Sequence, residues 1–405
     1  MTSPGANTPF VAIACGGTGG HLFPGLAVAE QLQKRGCAVA LLVSPKDVDQ
    51  EAVKSARGME IVTLPAVALQ NRNYFSFAGS FVKSLFATRK IFRKRRPAAV
   101  LAMGGFTSAP PIWVGKDFGA KTFLHESNTI PGRANRFLAR FVDEAFVGFP
   151  AAAARLHARK VTTTGTPVRP QFQPGDPEPC RTAFRLESNR PTILVMGGSQ
   201  GASGINDLIL SALPLLGNRT AAWQWLHLTG PGDVEKVDHT YAVRGFKAVV
   251  KPFLAEMDLA LGAATIAVSR AGASSLAEIA AMRLPSLLVP YPTAADNHQF
   301  YNAQAFEATG AARLLEQKNA TPEKVAALLC ELIEDPAARA KIQAALAQWH
   351  APRAAEQIAE SILSACWSSS FSLPAKDRPK PELQQTRGPG CPSSDAVERQ
   401  DFSTA

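Results

Sequence analysis

Three glycine-dense segments of this sequence have the make-up of loops that hold phosphate: Gly16-Gly-Thr-Gly-Gly20, Gly104-Gly-Phe106 and Gly197-Gly-Ser-Gln-Gly-Ala202. Glycine lets a diphosphate approach the backbone closely, and the free N–H groups of a helix start favour an anion there. None of the three has the spacing GxGxxG or GxxxxGK[ST], so neither a dinucleotide fingerprint nor a P-loop is satisfied. One such loop is equally well a tight turn without a ligand; three together favour phosphorylated ligands. Polar clusters sit beside them. His21 directly follows the first loop, in a helical turn that Pro24 fits. Its ordinary pKa near neutrality makes it a candidate general base, against the plainer reading of a histidine that packs at a helix end. His125-Glu-Ser-Asn128 either caps a helix starting near Gly132 or holds sugar hydroxyls, with Glu126 the second candidate base. In Ser269 to Glu278, Ser274 or Ser275 reads as an N-cap with Glu278 near N3 of a capping box. The alternative has Glu278 accepting both hydroxyls of a ribose while helix amides near Ser275 face a diphosphate. Asp296 to Asn302 reads as a polar helix start opened by Asp296, with Asn297, His298 and Gln299 offering donors and acceptors for a sugar.

These groups must be positioned by alternating strands and helices. Short β-rich runs at Phe10 to Ala14, Ala38 to Val43, Ala98 to Met103, Lys121 to Leu124 and Asp143 to Val147 predict βαβ units around a parallel sheet. Gly165 to Pro179 then carries five prolines, too many for a helix or a central strand. The pattern restarts at Thr192 to Met196 and continues through Trp223 to Thr229, Ala248 to Val250, Thr265 to Val268 and Ser286 to Val289. Each glycine loop falls at the carboxyl end of a strand, where open α/β sheets bind ligands. The expected organisation is therefore two Rossmann-like domains facing a cleft: residues 1–168, a Pro-rich linker 169–190, and residues 191–350. A last helix, 351–366, precedes a Ser- and Pro-rich tail, 367–405, read as disordered.

Composition narrows the setting. The 405 residues are 46% apolar and 19% charged, a globular balance. No run of 18 apolar residues occurs, and the first nine residues read as no export signal. Six scattered cysteines form no CxxC pair, which fits a reducing cytosol and argues against a zinc site. The net charge of +10 is uneven: Ile61 to Lys116 holds no acidic residue. Within it the stretch 72–96 sets Phe75, Phe77, Phe81, Leu85 and Phe86 beside Lys83, Arg89, Lys90 and the run Arg93 to Arg96. Apolar residues flanked by cations suit an anionic lipid surface, while Phe81, Leu85 and Phe92 also read as an ordinary core-facing stripe. Nucleic acid is the weakest partner for this patch, because the cations adjoin phenylalanines and no reading motif is present.

Taken in order, GGTGGH at Gly16 to His21, GGF at Gly104 to Phe106, HESN at His125 to Asn128, GTPVR at Gly165 to Arg169, GGSQGA at Gly197 to Ala202, RAGASSLAE at Arg270 to Glu278 and DNHQxxNA at Asp296 to Ala303 resemble the MurG family. That family transfers N-acetylglucosamine from UDP-GlcNAc to undecaprenyl-diphospho-muramoyl pentapeptide (lipid I), making lipid II for peptidoglycan. The resemblance covers roughly the first 310 residues. It implies a GT-B fold whose C-terminal helix crosses back to the first domain, and a peripheral protein on the cytoplasmic face of the membrane. It further implies that Leu254 reads the uracil edge and Glu278 the ribose. Ser199 would contact the diphosphate or uridine, Arg169 would help hold the donor, and Ala273, Ser275 and Gln299 would lie near the diphosphate and sugar. Gly17, Thr18, Gly19 and Asn128 would meet the acceptor diphosphate or the bound sugar. The chain departs from the family pattern at Phe106, Ser127, Thr166 and His298. The implied reaction is inverting displacement at C1 by the acceptor C4 hydroxyl. No DxD-like pair stands near the donor motifs, so no metal or other cofactor is expected. The rival readings are UDP-GlcNAc 2-epimerase, which shares the two-domain outline, and a nucleotide-sugar-binding protein without turnover.

Overall fold

The computed structural model describes residues 8–16, 19–45, 59–65, 74–198 and 201–367. Seven strands form a first sheet: β1 (Phe10–Ala14), β2 (Ala38–Val43), β3 (Glu60–Thr63), β4 (Ala99–Ala102), β5 (Lys121–Glu126), β6 (Glu144–Val147) and β7 (Val161–Thr163). Six form a second: β8 (Thr192–Met196), β9 (Gln224–Leu228), β10 (Lys247–Lys251), β11 (Ile266–Ser269), β12 (Ser286–Leu288) and β13 (Arg313–Leu314). The orders are 3-2-1-4-5-6-7 and 10-9-8-11-12-13, and every pairing is parallel. Such sheets are covered on both faces, which is why β1 (FVAIA) is wholly apolar, β8 (TILVM) is apolar after Thr192, and every residue of both is buried. The sequence pattern did not predict β3, β7 or β13. All three are edge strands of two to four residues, half-exposed or mixed in polarity, so no apolar run marks them.

Alternate residues of β1 serve two cores. Val11 and Ile13 pack on one face of the first sheet, and Phe10, Ala12 and Ala14 on the other. The first of these faces is completed from far along the chain, by the helix Ala354–Trp367, which buries Ile358, Ile362 and Leu363 against it. Burial at about 1.5–3 kcal/mol per side chain makes this docking a main source of stability. Arg35 pairs with Glu356 at 3.1 Å and Glu360 at 3.3 Å, and Ser361 Oγ donates to Glu144 Oε2 at 2.7 Å. The helix includes Trp367, one residue into the segment expected to be tail; residues 368–405 lie outside the described residues.

Proline richness misled the reading of the linker. A helix, Pro177–Ala183, lies inside it, because Pro177 and Pro179 fall in the first turn, where no intrahelical N–H is required. Asp176 caps it by accepting from Glu178 N, and Arg181 Nε donates to Ala263 O at 3.0 Å, fastening the linker to the second half.

The chain passes between the halves twice, and the two passages touch. Gly165 sits at φ +81, and a β-carbon there would overlap the Ala351 methyl. Nearby, Phe149 of the first half is buried in the second core, with ring centroids 6.2 Å from Phe306 and 5.3 Å from Trp349. Gly165→Ala should therefore cost about 1–3 kcal/mol through backbone strain, with overlap added. Gly36→Ala, at φ +80 with open space around it, should cost strain alone. Urea unfolding of both variants checks this; equal losses would mean the close passage carries no energy.

Candidate active site between the two sheets

In both sheets the strand order reverses beside the first strand of the half, β1 or β8, and there a crevice opens past the carboxyl ends. On the first side, the helix Gly19–Lys34 follows β1 and carries His21 in its first turn. The His21 ring lies across the second glycine loop. A β-carbon on Gly104 would come within 2.8 Å of its Cε1 and 3.0 Å of its Nδ1. Gly104 and Gly105 also have φ of 114° and 81°. The GGF loop thus owes its glycines to backbone shape and to the imidazole it accommodates. Thr107 Oγ1 donates to Gly16 O at 3.0 Å, tying the two loops together. Gly17 and Thr18 lie outside the described residues, and Gly19 opens the helix.

His125 and Glu126 belong to β5 itself, and both are fully buried. Glu126 accepts four hydrogen bonds: from Asn128 N (2.8 Å), Asn128 Nδ2 (3.1 Å), Gly132 N (3.0 Å) and Asn135 Nδ2 (2.8 Å). A carboxylate so engaged holds the loop in shape. His125 Nε2 donates to Gly165 O at 3.2 Å while its Nδ1 accepts from Ser127 Oγ at 3.2 Å. Burial pushes its pKa down to about 4, so the ring is neutral. Ser127, one of the departures from the family pattern, thereby acquires a partner.

On the second side β11 leads through Arg270 to the helix Ala273–Met282. Arg270 is a buried strut: Nη1 donates to Val289 O (3.0 Å) and Pro290 O (3.1 Å), and Nη2 to Gln317 Oε1 (2.9 Å). The N-cap is Gly272, extended at φ −66 and ψ 135, with no side-chain cap. The capping-box reading therefore fails: Ser275 stands at N3 and Glu278 a turn further on. The first-turn N–H groups therefore have no N-cap side chain to accept from them. Glu278 is half-buried, and burial raises its pKa to about 7 against the lowering pull of the Arg169 charge. The Arg169 guanidinium lies over the Phe23 ring at 4.5 Å and the Phe172 ring at 5.2 Å. Phe23 belongs to the helix of His21, so the linker arginine spans the crevice. Leu254 is buried in the loop after β10, and Gln299 Oε1 accepts from Tyr291 N at 3.0 Å. Ser199 lies outside the described residues; the flanking Gly198 and Gly201 have φ of 117° and 75°.

Polar contacts also join the halves beside the crevice. Ser274 Oγ donates to Gly20 O at 2.8 Å, so the second-half helix start abuts the residue before His21. Asp296 accepts from Arg133 at 3.2 Å and Arg136 at 2.9 Å. Asp296 does not open a helix as expected. It and Asn297 are left-handed, at φ 50 and 54, and the helix starts at His298. Another contact is made by Asn302, fully buried and hydrogen-bonded to Asn128, Thr129 and Ala271. Reading by motif left its role unseen, because a lone asparagine inside a helix gives no sign of a partner about 170 residues away.

Away from the crevice, the helices Tyr74–Lys94, Ala109–Asp117 and Arg133–Leu138 enclose an apolar groove of about 450 Å³, lined by Phe81, Val82, Trp113, Ala134, Phe137 and Leu138 among others. Phe92 and Leu85 pack inward, whereas Phe86 is 70% exposed and Val82 and Phe137 each 47%. Phe81 belongs to the groove, edge-to-face with Trp113 at 5.4 Å, and departs from the expected core stripe. Lys90, Arg93 and Lys94 are exposed further along the same helix. Arg95 lies over Phe10 at 4.5 Å and Arg96 over Phe118 at 5.9 Å, so these two cations are partly occupied by the fold. The side chains of Phe75 and Phe77 lie outside what is described.

Residues 11–147 match the glycosyltransferase family 28 N-terminal domain, and residues 192–358 the family 28 C-terminal domain. The chain is 36% identical over 353 residues to the UDP-N-acetylglucosamine--N-acetylmuramyl-(pentapeptide) pyrophosphoryl-undecaprenol N-acetylglucosamine transferase of Anaeromyxobacter sp. (strain Fw109-5), covering 86% of this chain and 91% of that protein. Among solved structures it is similar to MurG of Acinetobacter baumannii, with a TM-score of 0.69 and 25% identity, over 88% of this chain and 99% of that one. A UDP-N-acetylglucosamine 2-epimerase superposes with a TM-score of 0.64 over 88% of this chain and 96% of that one, but at 14% identity this is a likeness of fold alone. With both family 28 domains matched in order on either side of one crevice, the chain belongs to the MurG family of glycosyltransferases, and its fold is GT-B.

Proposed function

We propose that this protein transfers N-acetylglucosamine from UDP-GlcNAc to the C4 hydroxyl of the muramoyl sugar of lipid I, inverting C1 and giving lipid II. One contact carries the reading. Ser274 Oγ on Gly20 O sets an uncapped helix start of one half against the glycine loop and His21 of the other. In this scheme Leu254 meets the uracil and Glu278 the ribose. The amides of Ala273 to Ser275, with Ser199, Arg169 and Gln299, hold the diphosphate and sugar. Gly17, Thr18, Gly19 and Asn128 meet the acceptor. His21 takes the C4 hydroxyl proton as the oxygen bonds to C1, and UDP leaves with the electron pair of the broken C1–O bond. Charge on the departing phosphate falls on backbone N–H groups, each preorganised donor being worth about 3–4 kcal/mol. The apolar groove and the exposed Lys90, Arg93 and Lys94 support a peripheral seat on anionic lipid at the cytoplasmic face. Among the described residues no helix is long and apolar enough to cross a membrane.

Release of UDP from UDP-GlcNAc should require a short-chain lipid I analogue. UDP-ManNAc formed from UDP-GlcNAc alone would make the protein an isomerase instead. His21→Ala should lower kcat about 10²–10⁴-fold with UDP affinity kept, and near-normal turnover at saturating acceptor would remove the base assignment. Because the Glu278 pKa lies at about 7, its carboxylate gains a proton as pH falls from 8 to 6 and no longer accepts from both ribose hydroxyls. UDP should bind more weakly over that span, measured by calorimetry, and Glu278→Gln should be weak and flat across it. Replacing Lys90, Arg93 and Lys94 by Gln should reduce sedimentation with anionic liposomes by about 1 kcal/mol per cation. Undiminished lipid binding would discard the groove as the seat.

A further inference from the structure

Asn302 stands on the helix His298–Ala308, in the half that carries Glu278, and its side chain is fully buried. Its Oδ1 accepts from Thr129 N at 2.9 Å, and its Nδ2 donates to Asn128 Oδ1 at 3.0 Å and to Ala271 O at 3.1 Å. A backbone N–H can only donate and a carbonyl can only accept, so these partners dictate which end of the amide is which. Two of them belong to the loop after β5. The third immediately precedes Gly272, the N-cap of the helix Ala273–Met282. One planar group thus joins the two walls of the crevice. Asn128 is itself fixed, since both its N and its Nδ2 donate to Glu126 Oε1. The path from Glu126 to Ala271 is hydrogen-bonded at every step.

From this bridge we infer that Asn302 is a positioning residue for sugar transfer: it sets the spacing between the acceptor-side loop 126–129 and the start of the helix that receives the donor diphosphate. The inference rests on the transferase reading for the identity of the two ligands. Asn302 acts through Asn128 and Ala271, and its own amide is used up by the protein. Asparagine is the side chain of this size that offers one acceptor and two donors in a plane. Aspartate offers acceptors only, and leucine offers neither. The other polar link across this part of the junction, Asp296 with Arg133 and Arg136, is largely exposed on the arginine side and constrains spacing less. An error of about 1 Å in the approach of two reacting groups costs on the order of 100-fold in rate, so the bridge bears on kcat.

The test uses the full chain with Asn302→Asp, which keeps the shape and the Thr129 bond but turns a carboxylate oxygen toward two acceptors. With a short-chain lipid I analogue, kcat should fall about 100-fold, while the calorimetric affinity for UDP stays within threefold, because the UDP-binding groups are left in place. Amide hydrogen exchange should quicken at residues 126–132 and 271–275 and stay unchanged in β8 and β9. A kcat within threefold of wild type, or UDP affinity falling in step with kcat, would overturn the inference. Should Asn302→Asp fail to fold, Asn302→Ser retains one donor and one acceptor and should show the same pattern at about tenfold. A wild-type protein without acceptor-dependent UDP release would sink the transferase reading alone; exchange at 126–132 would still decide whether Asn302 ties the loop to the helix start.

Discussion

In both sheets the central strands are covered on both faces, so a ligand is met by several loops at once beyond the strands' carboxyl ends. From that constraint the arrangement follows. Each half presents one such edge, and a site using both requires the edges to be held at a fixed distance. Surface charges cannot do this well, because water and salt weaken them. Buried amide and hydroxyl bonds can, since breaking one strands its partner away from solvent. The contacts of the buried Asn302 across the crevice are of this kind, and the part-buried bond of Ser274 adds to them.

Several groups that look chemical are instead parts of the frame. Glu126 is held by four N–H donors, and His125 is kept neutral between Ser127 and Gly165. His227 is a further case: it lies between Tyr241 and Asn206, and burial brings its pKa down to about 3. His21 differs in standing on a first helical turn with its ring against glycine backbone, at the mouth of the crevice. Glu278 differs in that burial raises its pKa to about 7, beside an arginine stacked on phenylalanines.

Most of the architecture was legible in the sequence because parallel strands of this type are apolar throughout and are punctuated by glycine. β1 and β8 announce themselves; β3, β7 and β13 do not, since an edge strand borrows its order from its neighbour. The residues facing the crevice were marked by type and by motif. What each does locally was less readable. The capping box at Ser274 to Glu278 and the helix start at Asp296 follow sound local rules, yet a glycine N-cap and two left-handed residues stand there. Those backbone choices serve contacts with the other half, and local propensity holds no record of them. The same reason hid Asn302, whose three partners come from two distant segments.

The return of the helix Ala354–Trp367 to the first sheet has a consequence for biogenesis. Arg35 and Glu356 are 321 positions apart, so the ribosome must make residues up to that helix before the N-terminal half acquires its final covering layer. Until then Ile13, Leu22 and Leu26 flank an unfilled strip, a surface suited to trigger-type chaperones or to aggregation.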